Sequence, residues 1–341
     1  EILRMDLAFI GETQKKRTPS KQWSEGEITV ELKKLEDKIE DCRQNQGEIE
    51  VRDAILDKAE FLAFEAQDSL EAEKVFRTAY DMTGGASKKM EILFEILLMS
   101  IEKRDIASIK KDIAKCHKLV EDGADWDKKN KLKIFEGVYC MMVRDFKKAS
   151  ELFVSSIATF TALEIMTFKD FVFYAVVMGL LHLDRKALKK EIIHCPDILA
   201  VNREIPHLRE FSESYYNCDY KTFFVNFIHI CERVKQDKYL REHAHHYTKE
   251  MRLNAYKQYL ESFKSVTIAN MASAFGVSPA FIDKELSNFI YNGKLNCKID
   301  MVAGVIESNR PNKKVDLYQQ TIQKGDALLD RVQKLARSLE V

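Results

Sequence analysis

The residues best suited to chemistry in this chain are the short run His243-Ala244-His245-His246 and seven scattered cysteines. Imidazoles this close could share a metal ion. A metalloprotease helix, however, needs His-Glu-x-x-His, which sets two ligands on one helix face beside a glutamate base. That motif is absent. A metal-dependent deubiquitinase would follow its His-x-His with Pro, then Ser and Asp at set distances. His246, Asn254 and Lys257 stand at those places instead, so the run reads as a polar helix face. Cys42, Cys116, Cys140, Cys195, Cys218, Cys231 and Cys297 form no C-x-x-C pair and fit no zinc spacing. Odd in number and set on apolar helix faces, they read as reduced thiols of the cytoplasm or nucleus. No phosphate-cradling glycine loop, nucleophile elbow or dinucleotide fingerprint occurs, and Gly84-Gly85 reads as an inter-helix turn. The expectation is a protein that is not an enzyme and has no metal or cofactor site.

The elements around these residues point to assembly. Five times an Asp opens an apolar pattern of the same shape: Asp68 with Ala72 and Phe76, Asp105 with Ile109 and Ile113, Asp145 with Ala149 and Phe153, Asp184 with Leu188 and Ile192, and Asp219 with Phe223 and Phe227. The offsets are always four and eight, and the steps between the Asp residues are 37, 40, 39 and 35. Each Asp is placed to cap the second helix of a pair. Residues four and eight further on form one stripe, because a four-residue step rotates only about 40° around an axis of 3.6 residues per turn. The preceding helices read as 54–67, 89–104, 130–144, 168–183 and 206–218. Gly137-x-Tyr139 ahead of Asp145 gives the small-x-aromatic texture of tetratricopeptide repeats without their full consensus. A right-handed, TPR-like solenoid of helix pairs over 48–248 follows. Ahead of it, Ser24 and Glu27 form a capping box opening an amphipathic helix that ends near Gly47, and residues 1–23 read as a basic arm.

Bulk properties agree. The 341 residues include 54 basic and 54 acidic side chains, so no basic excess steers the chain to phosphate. Five Pro and twelve Gly are too few for a hairpin-rich fold. The longest apolar run, Phe171 to Leu181, is too short to span a bilayer and reads as a buried helix. The chain opens Glu1-Ile2-Leu3 without Met, which suggests an upstream segment absent from this sequence.

The texture changes near residue 248. Leu253, Tyr256, Leu260 and Phe263 mark one helix, and Ile268, Met271 and Ala272 a short second one. Ser278 as cap and Pro279 at the first helical position open a third, which Gly293 ends. Lys294 to Ile299 alternates as a strand, and Gly304-Val305-Ile306-Glu307 completes a hairpin. Three helices and a β-wing over 249–310 make a winged helix. DNA reading is the rival function. The third helix, however, carries Asp283, Lys284 and Glu285, where a base reader would place Arg, Lys, Asn or Gln. Nucleic acid is therefore disfavoured. After Arg310-Pro311-Asn312, the segment 311–341 reads as one long helix with Val315, Tyr318, Ile322, Gly325, Leu329, Val332, Ala336 and Leu339 in steps of three and four. Such a seam calls for partner helices.

A mostly α chain with a helix-pair solenoid, a winged helix and a terminal helix resembles the PCI-domain proteins. Arg144-Asp145-Phe146-Lys147-Lys148-Ala149, Ser262-Phe263-Lys264-Ser265-Val266-Thr267, Lys294-Leu295-Asn296-Cys297-Lys298-Ile299-Asp300, Gly304-Val305-Ile306-Glu307 and the terminal helix are similar to the non-ATPase subunit 6 family of the proteasome lid. The likeness runs from about residue 25 onward, and the largest PCI subunit of the signalosome is the nearest alternative. The resemblance implies a non-catalytic scaffold in ubiquitin-dependent degradation, found in cytoplasm and nucleus. It implies sheet-edge joining to other PCI subunits, with Leu295, Cys297, Ile299, Val305 and Ile306 at the wing edge. It also implies a helical bundle reached through Val315, Tyr318, Ile322, Leu329, Val332 and Leu339, and solenoid contacts to the ATPase ring and the lid deubiquitinase.

Overall fold

The four-and-eight stripes become the buried faces of the second helices. All ten stripe residues are buried, none above 6 % exposure. In the computed structural model, which describes residues 24–45, 47–66, 68–308 and 313–339, α1 spans Glu25–Asn45, opened by the Ser24–Glu27 capping box (Ser24 N donates to Glu27 Oε2 at 3.0 Å). Then come α2 (Glu48–Glu60, prolonged by a π turn Phe61–Glu65), α3 (Ser69–Met82), α4 (Ala86–Lys103), α5 (Ile106–Glu121), α6 (Trp126–Val143), α7 (Phe146–Ser156) and α8 (Phe168–His182). α9 is a single turn, Arg185–Ala187, continued as a π turn Leu188–Ile193; α10 (Pro196–Asn202), α11 (Leu208–Asn217), α12 (Tyr220–Gln236) and α13 (Ala244–Glu261) follow. The proposed basic arm, residues 1–23, lies outside the described residues, as does the Arg310-Pro311-Asn312 linker.

Four of the five Asp residues cap as the spacing predicts. Asp68 accepts from the N–H groups of Leu70 and Glu71, Asp105 from Ala107 and Ser108, Asp145 from Lys148, and Asp219 from Thr222. The Ser108 hydroxyl and N–H hold the Asp105 carboxyl below its ordinary range. In three cases the residue before the Asp closes the previous helix in the left-handed region: Arg104 (φ 58°), Arg144 (φ 72°) and Cys218 (φ 63°). Asp184 departs from the pattern. Its side chain makes no cap bond, and Leu183 before it is extended (φ −75°, ψ 143°). The helix behind it has only one α turn before widening to π. Leu188 and Ile192 are still buried, so packing rather than capping holds this element. Asp68→Ala is therefore expected to lower stability by about 1 kcal/mol, whereas Asp184→Ala should leave the melting transition unchanged. Equal losses in thermal melts of the two variants would refute this account of the fourth unit.

Packing between paired helices is close where glycine permits it. A Cβ added at Gly137 on α6 would stand 2.5 Å from the Phe153 ring on α7, so the Asp145-led stripe fits against a bare backbone. All eleven residues of Phe171–Leu181 in α8 are buried. No helix among the described residues is long and apolar enough to cross a membrane.

The chain divides into two compact units. The first holds the solenoid up to Asn217 together with Asn226–Tyr247; the second holds Cys218–Val225 and everything from Thr248 onward. α12 contributes to both units. Within the second unit Phe275 is the hub of an aromatic core, with ring centroids 4.8 Å from Tyr220, 5.2 Å from Phe224, 5.1 Å from Tyr256 and 5.3 Å from Tyr259. The helix-turn-helix forms as read. α14 (Ile268–Phe275) ends at left-handed Gly276, and Val277 N–H returns to Ala272 O at 3.0 Å. Ser278 caps α15 (Pro279–Tyr291), whose Ile282, Leu286 and Phe289 are buried. β1 (Ser265–Thr267), β2 (Cys297–Asp300) and β3 (Val305–Ser308) form an antiparallel sheet in the order β1-β3-β2. The final helix, α16, spans Lys313–Leu339.

Candidate assembly interfaces

No catalytic chemistry gathers at the residues singled out for it. His243 Nε2 donates to Met142 O at 2.8 Å, leaving Nδ1 to accept from Arg144 Nε at 3.4 Å. The Phe146 ring lies 6.0 Å from the His243 ring and 5.8 Å from that of His246. Two of the three imidazoles therefore pack on the repeat junction instead of forming the open polar face their spacing suggested. Arg104 reinforces the same seam, pairing with Glu242 and donating to Lys238 O at 2.8 Å. The described residues hold no group of His, Cys, Asp and Glu that could bind a metal ion. All seven cysteines are free. Burial pushes the Cys116 thiol up to about 12 and the Cys140 thiol to about 11, so neither is a ready nucleophile.

Charge inside the solenoid forms ion pairs both within and between helices. Asp112 of α5, 1 % exposed, receives Arg77 of α3 at 3.2 Å and Lys115 at 2.9 Å. Arg77 also holds Glu73 at 2.8 Å, and Lys103 of α4 reaches Glu73 at 3.3 Å. One turn of the stack later, Glu136 of α6 takes Lys148 of α7 at 2.6 Å and His117 of α5 at 3.1 Å.

The wing differs from the sequence expectation in its order. β1, three residues long, pairs with the far side of β3, so β3 is the central strand and its backbone is bound on both sides. Val305 and Ile306 consequently cannot lie at an edge, a correction to their reading as edge residues. The edge strands are β1 and β2. Register puts Ile299, Ile306 and Val266 opposite one another on one face, where Ile306 and Val266 are buried and Ile299 is half-buried. Leu295 and Cys297 are buried as well. Their side chains serve the wing's own core, and what β2 offers outward is backbone, with exposed Lys298 and Asp300. The third helix also differs in where its charge lies. Glu285 turns inward to Arg252 (2.9 Å) and the Tyr256 hydroxyl (2.8 Å), and Asp283 is half-buried. The exposed stripe of α15 reads Phe281, Lys284, Asn288, Tyr291 and carries a single cation, too little for a phosphate-tracking surface.

α16 leaves a long apolar surface uncovered. Every described side chain along its 27 residues is exposed. Val315 (49 %), Tyr318 (67 %), Ile322 (62 %), Leu329 (59 %) and Val332 (52 %) form the seam read from the sequence. The Leu339 side chain lies outside those described. Leu317, Leu328 and Leu335 are exposed too, at 61 to 63 %. Leu328 and Leu335 flank the seam on one side, whereas Leu317 lies on the outer face.

Three family models match successive parts of the chain. Residues 22–191 match the model of the 26S proteasome subunit RPN7, 209–310 the PCI domain, and 318–338 the C-terminal helix of the 26S proteasome regulatory subunit RPN7/PSMD6. The 26S proteasome non-ATPase regulatory subunit 6 of Oryza sativa subsp. japonica is 46 % identical over 342 residues, covering 100 % of this chain and 84 % of the rice protein. This chain belongs to the RPN7/PSMD6 family. The Arabidopsis thaliana homolog of subunit 6 is 47 % identical over 91 % of this chain and 80 % of its own length. The regulatory subunit RPN7 of Saccharomyces cerevisiae is 34 % identical over 91 % and 73 %. COP9 signalosome complex subunit 1 of Arabidopsis is a distant relative, 23 % identical over 48 % of the chain and 37 % of its own. The family model of the terminal helix falls on the exposed seam, so the family's own signature includes the surface this chain leaves uncovered.

Proposed function

We propose that this chain is a non-catalytic scaffold subunit of the lid of the 26S proteasome regulatory particle, supporting lid assembly and ubiquitin-dependent protein degradation in cytoplasm and nucleus. The observation that carries the reading is α16. A helix of 27 residues is about 40 Å long, and an apolar seam over that length is unfavourable in water until other helices cover it. Its partners are the terminal helices of other lid subunits. The second surface is the edge of the wing, where β2 pairs with a strand of a neighbouring PCI subunit through unpaired backbone groups. The solenoid, closed by its own ion pairs and capped helices, acts as an arm toward the ATPase ring and the lid deubiquitinase.

The wing edge is tested by single prolines at Lys298 and Ile299. Along an edge strand, successive N–H groups alternate between the neighbour within the sheet and the outside. One of the two prolines removes a bond to β3 and lowers the melting temperature. The other removes an outward donor; measured against Ile299→Ala, which forfeits the same half-buried side chain, it leaves the melting temperature intact and weakens joining to a PCI neighbour by about tenfold, one hydrogen bond together with a ring that holds the partner strand off. Native co-migration with the remaining lid subunits reads the effect. Two prolines that both leave co-migration intact would remove the edge from the interface, and co-migration with signalosome subunits would overturn the lid reading itself.

A further inference from the structure

The apolar seam of α16 contains one glycine, Gly325, midway between Ile322 and Leu329. Glycine is a poor helix residue, and nothing in this chain calls for it here, since an added Cβ would meet no atom within 4 Å. The helix continues unbroken on both sides. In heptad packing every seam position is a knob set into the facing helix; a glycine removes the knob and lets a backbone come close. The flanks change character at the same level. On one side of the seam the residues are Lys314 and Thr321 before Gly325, then Leu328 and Leu335 after it, while the opposite flank stays polar with Gln319, Asp326 and Gln333.

Resting on the lid-subunit reading above, we propose that Gly325 is the crossing point of the bundle. A helix of another lid subunit inserts a bulky apolar side chain into this notch and from there turns onto the leucine flank. A helix whose seam widens on one side only, and only beyond its notch, suits an occupant crossing at an angle. In an identical copy running alongside in register, the leucine flank of each helix would face the polar flank, Asp326 and Gln333, of the other.

The test uses the full chain co-expressed with the other lid subunits, read as the fraction entering assembled lid on native gels. Gly325→Leu fills the notch and should lower incorporation by about tenfold, as overpacking does, although it favours the helix itself. A loss therefore reports packing and not unfolding, which circular dichroism verifies. Ala327→Leu, on the opposite face, should incorporate like the parent. If Gly325→Leu incorporates normally while Ile322→Asp is excluded, the seam stands and the notch is refuted. If Ile322→Asp also incorporates, the bundle reading falls and the notch falls with it. Self-association of the purified chain that Gly325→Leu abolishes would make the occupant a second copy and overturn the assignment to another subunit.

Discussion

A chain carrying Ile322→Asp and Leu329→Asp together should fold, keep its helical content and fail to enter the lid. Both positions are more than half exposed in the isolated chain, at 62 % and 59 %, so a carboxylate there meets water and costs the free subunit little. On the proposed reading, partner helices cover the same positions in the assembly. Each substitution forfeits the burial of a large aliphatic side chain, about 1.5–3 kcal/mol, and confronts apolar partners with a charge that must be desolvated or excluded. Together the loss is at least about 4 kcal/mol, or about a thousandfold in affinity. The contrast between an unaffected subunit and an absent complex is the signature. Normal incorporation of the double variant would show that α16 is no bundle helix, whatever its family model.

The second large effect is inside the solenoid. Asp112→Ala should lower stability by about 2–3 kcal/mol, below the 3–5 kcal/mol typical of breaking a fully buried pair, because Arg77 and Lys115 keep access to solvent (side-chain exposures 37 % and 46 %). The neighbouring Glu73 adds a pH signature. Burial raises its pKa, but hydrogen bonds and charge from Arg77 and Lys103 outweigh burial and leave it below the ordinary carboxylate value. A carboxyl depressed in the folded state contributes stability that is fully present above the unfolded pKa and is lost as pH falls through the folded one. Glu73→Gln should therefore be less stable than the parent at neutral pH and converge with it in acid. A gap between the two melting curves that stays constant with pH would exclude the charge network as its source.

What could be read from the sequence was whatever depends on neighbours in the chain. An Asp ahead of apolar residues at four and eight is a cap and a stripe within one helix. Ser278-Pro279 and Gly276 are a helix start and a left-handed turn. The α16 seam is a heptad count. The fourth unit shows the limit, since Asp184 has the right spacing but follows an extended Leu183, and no cap forms. Short elements escape for a related reason: Ser265-Val266-Thr267 is too brief to show alternation, yet its pairing with β3 decides which strands are edges and turns Val305 and Ile306 into central residues.

The sequence by itself determined that this chain is a stack of helix pairs, a winged helix and an apolar terminal helix, and that no catalytic motif runs through it. Only the tertiary structure decided that His243 and His246 pack on Phe146, that Asp112 is buried between two cations, that the acids of α15 turn partly inward, and that β2 offers backbone rather than side chains. Local patterns report on residues three or four apart, where helix geometry fixes who is neighbour to whom. The pairing of Arg77 with Asp112, 35 residues away, or of β1 with β3 is set by packing across the fold, which leaves no periodic trace along the chain.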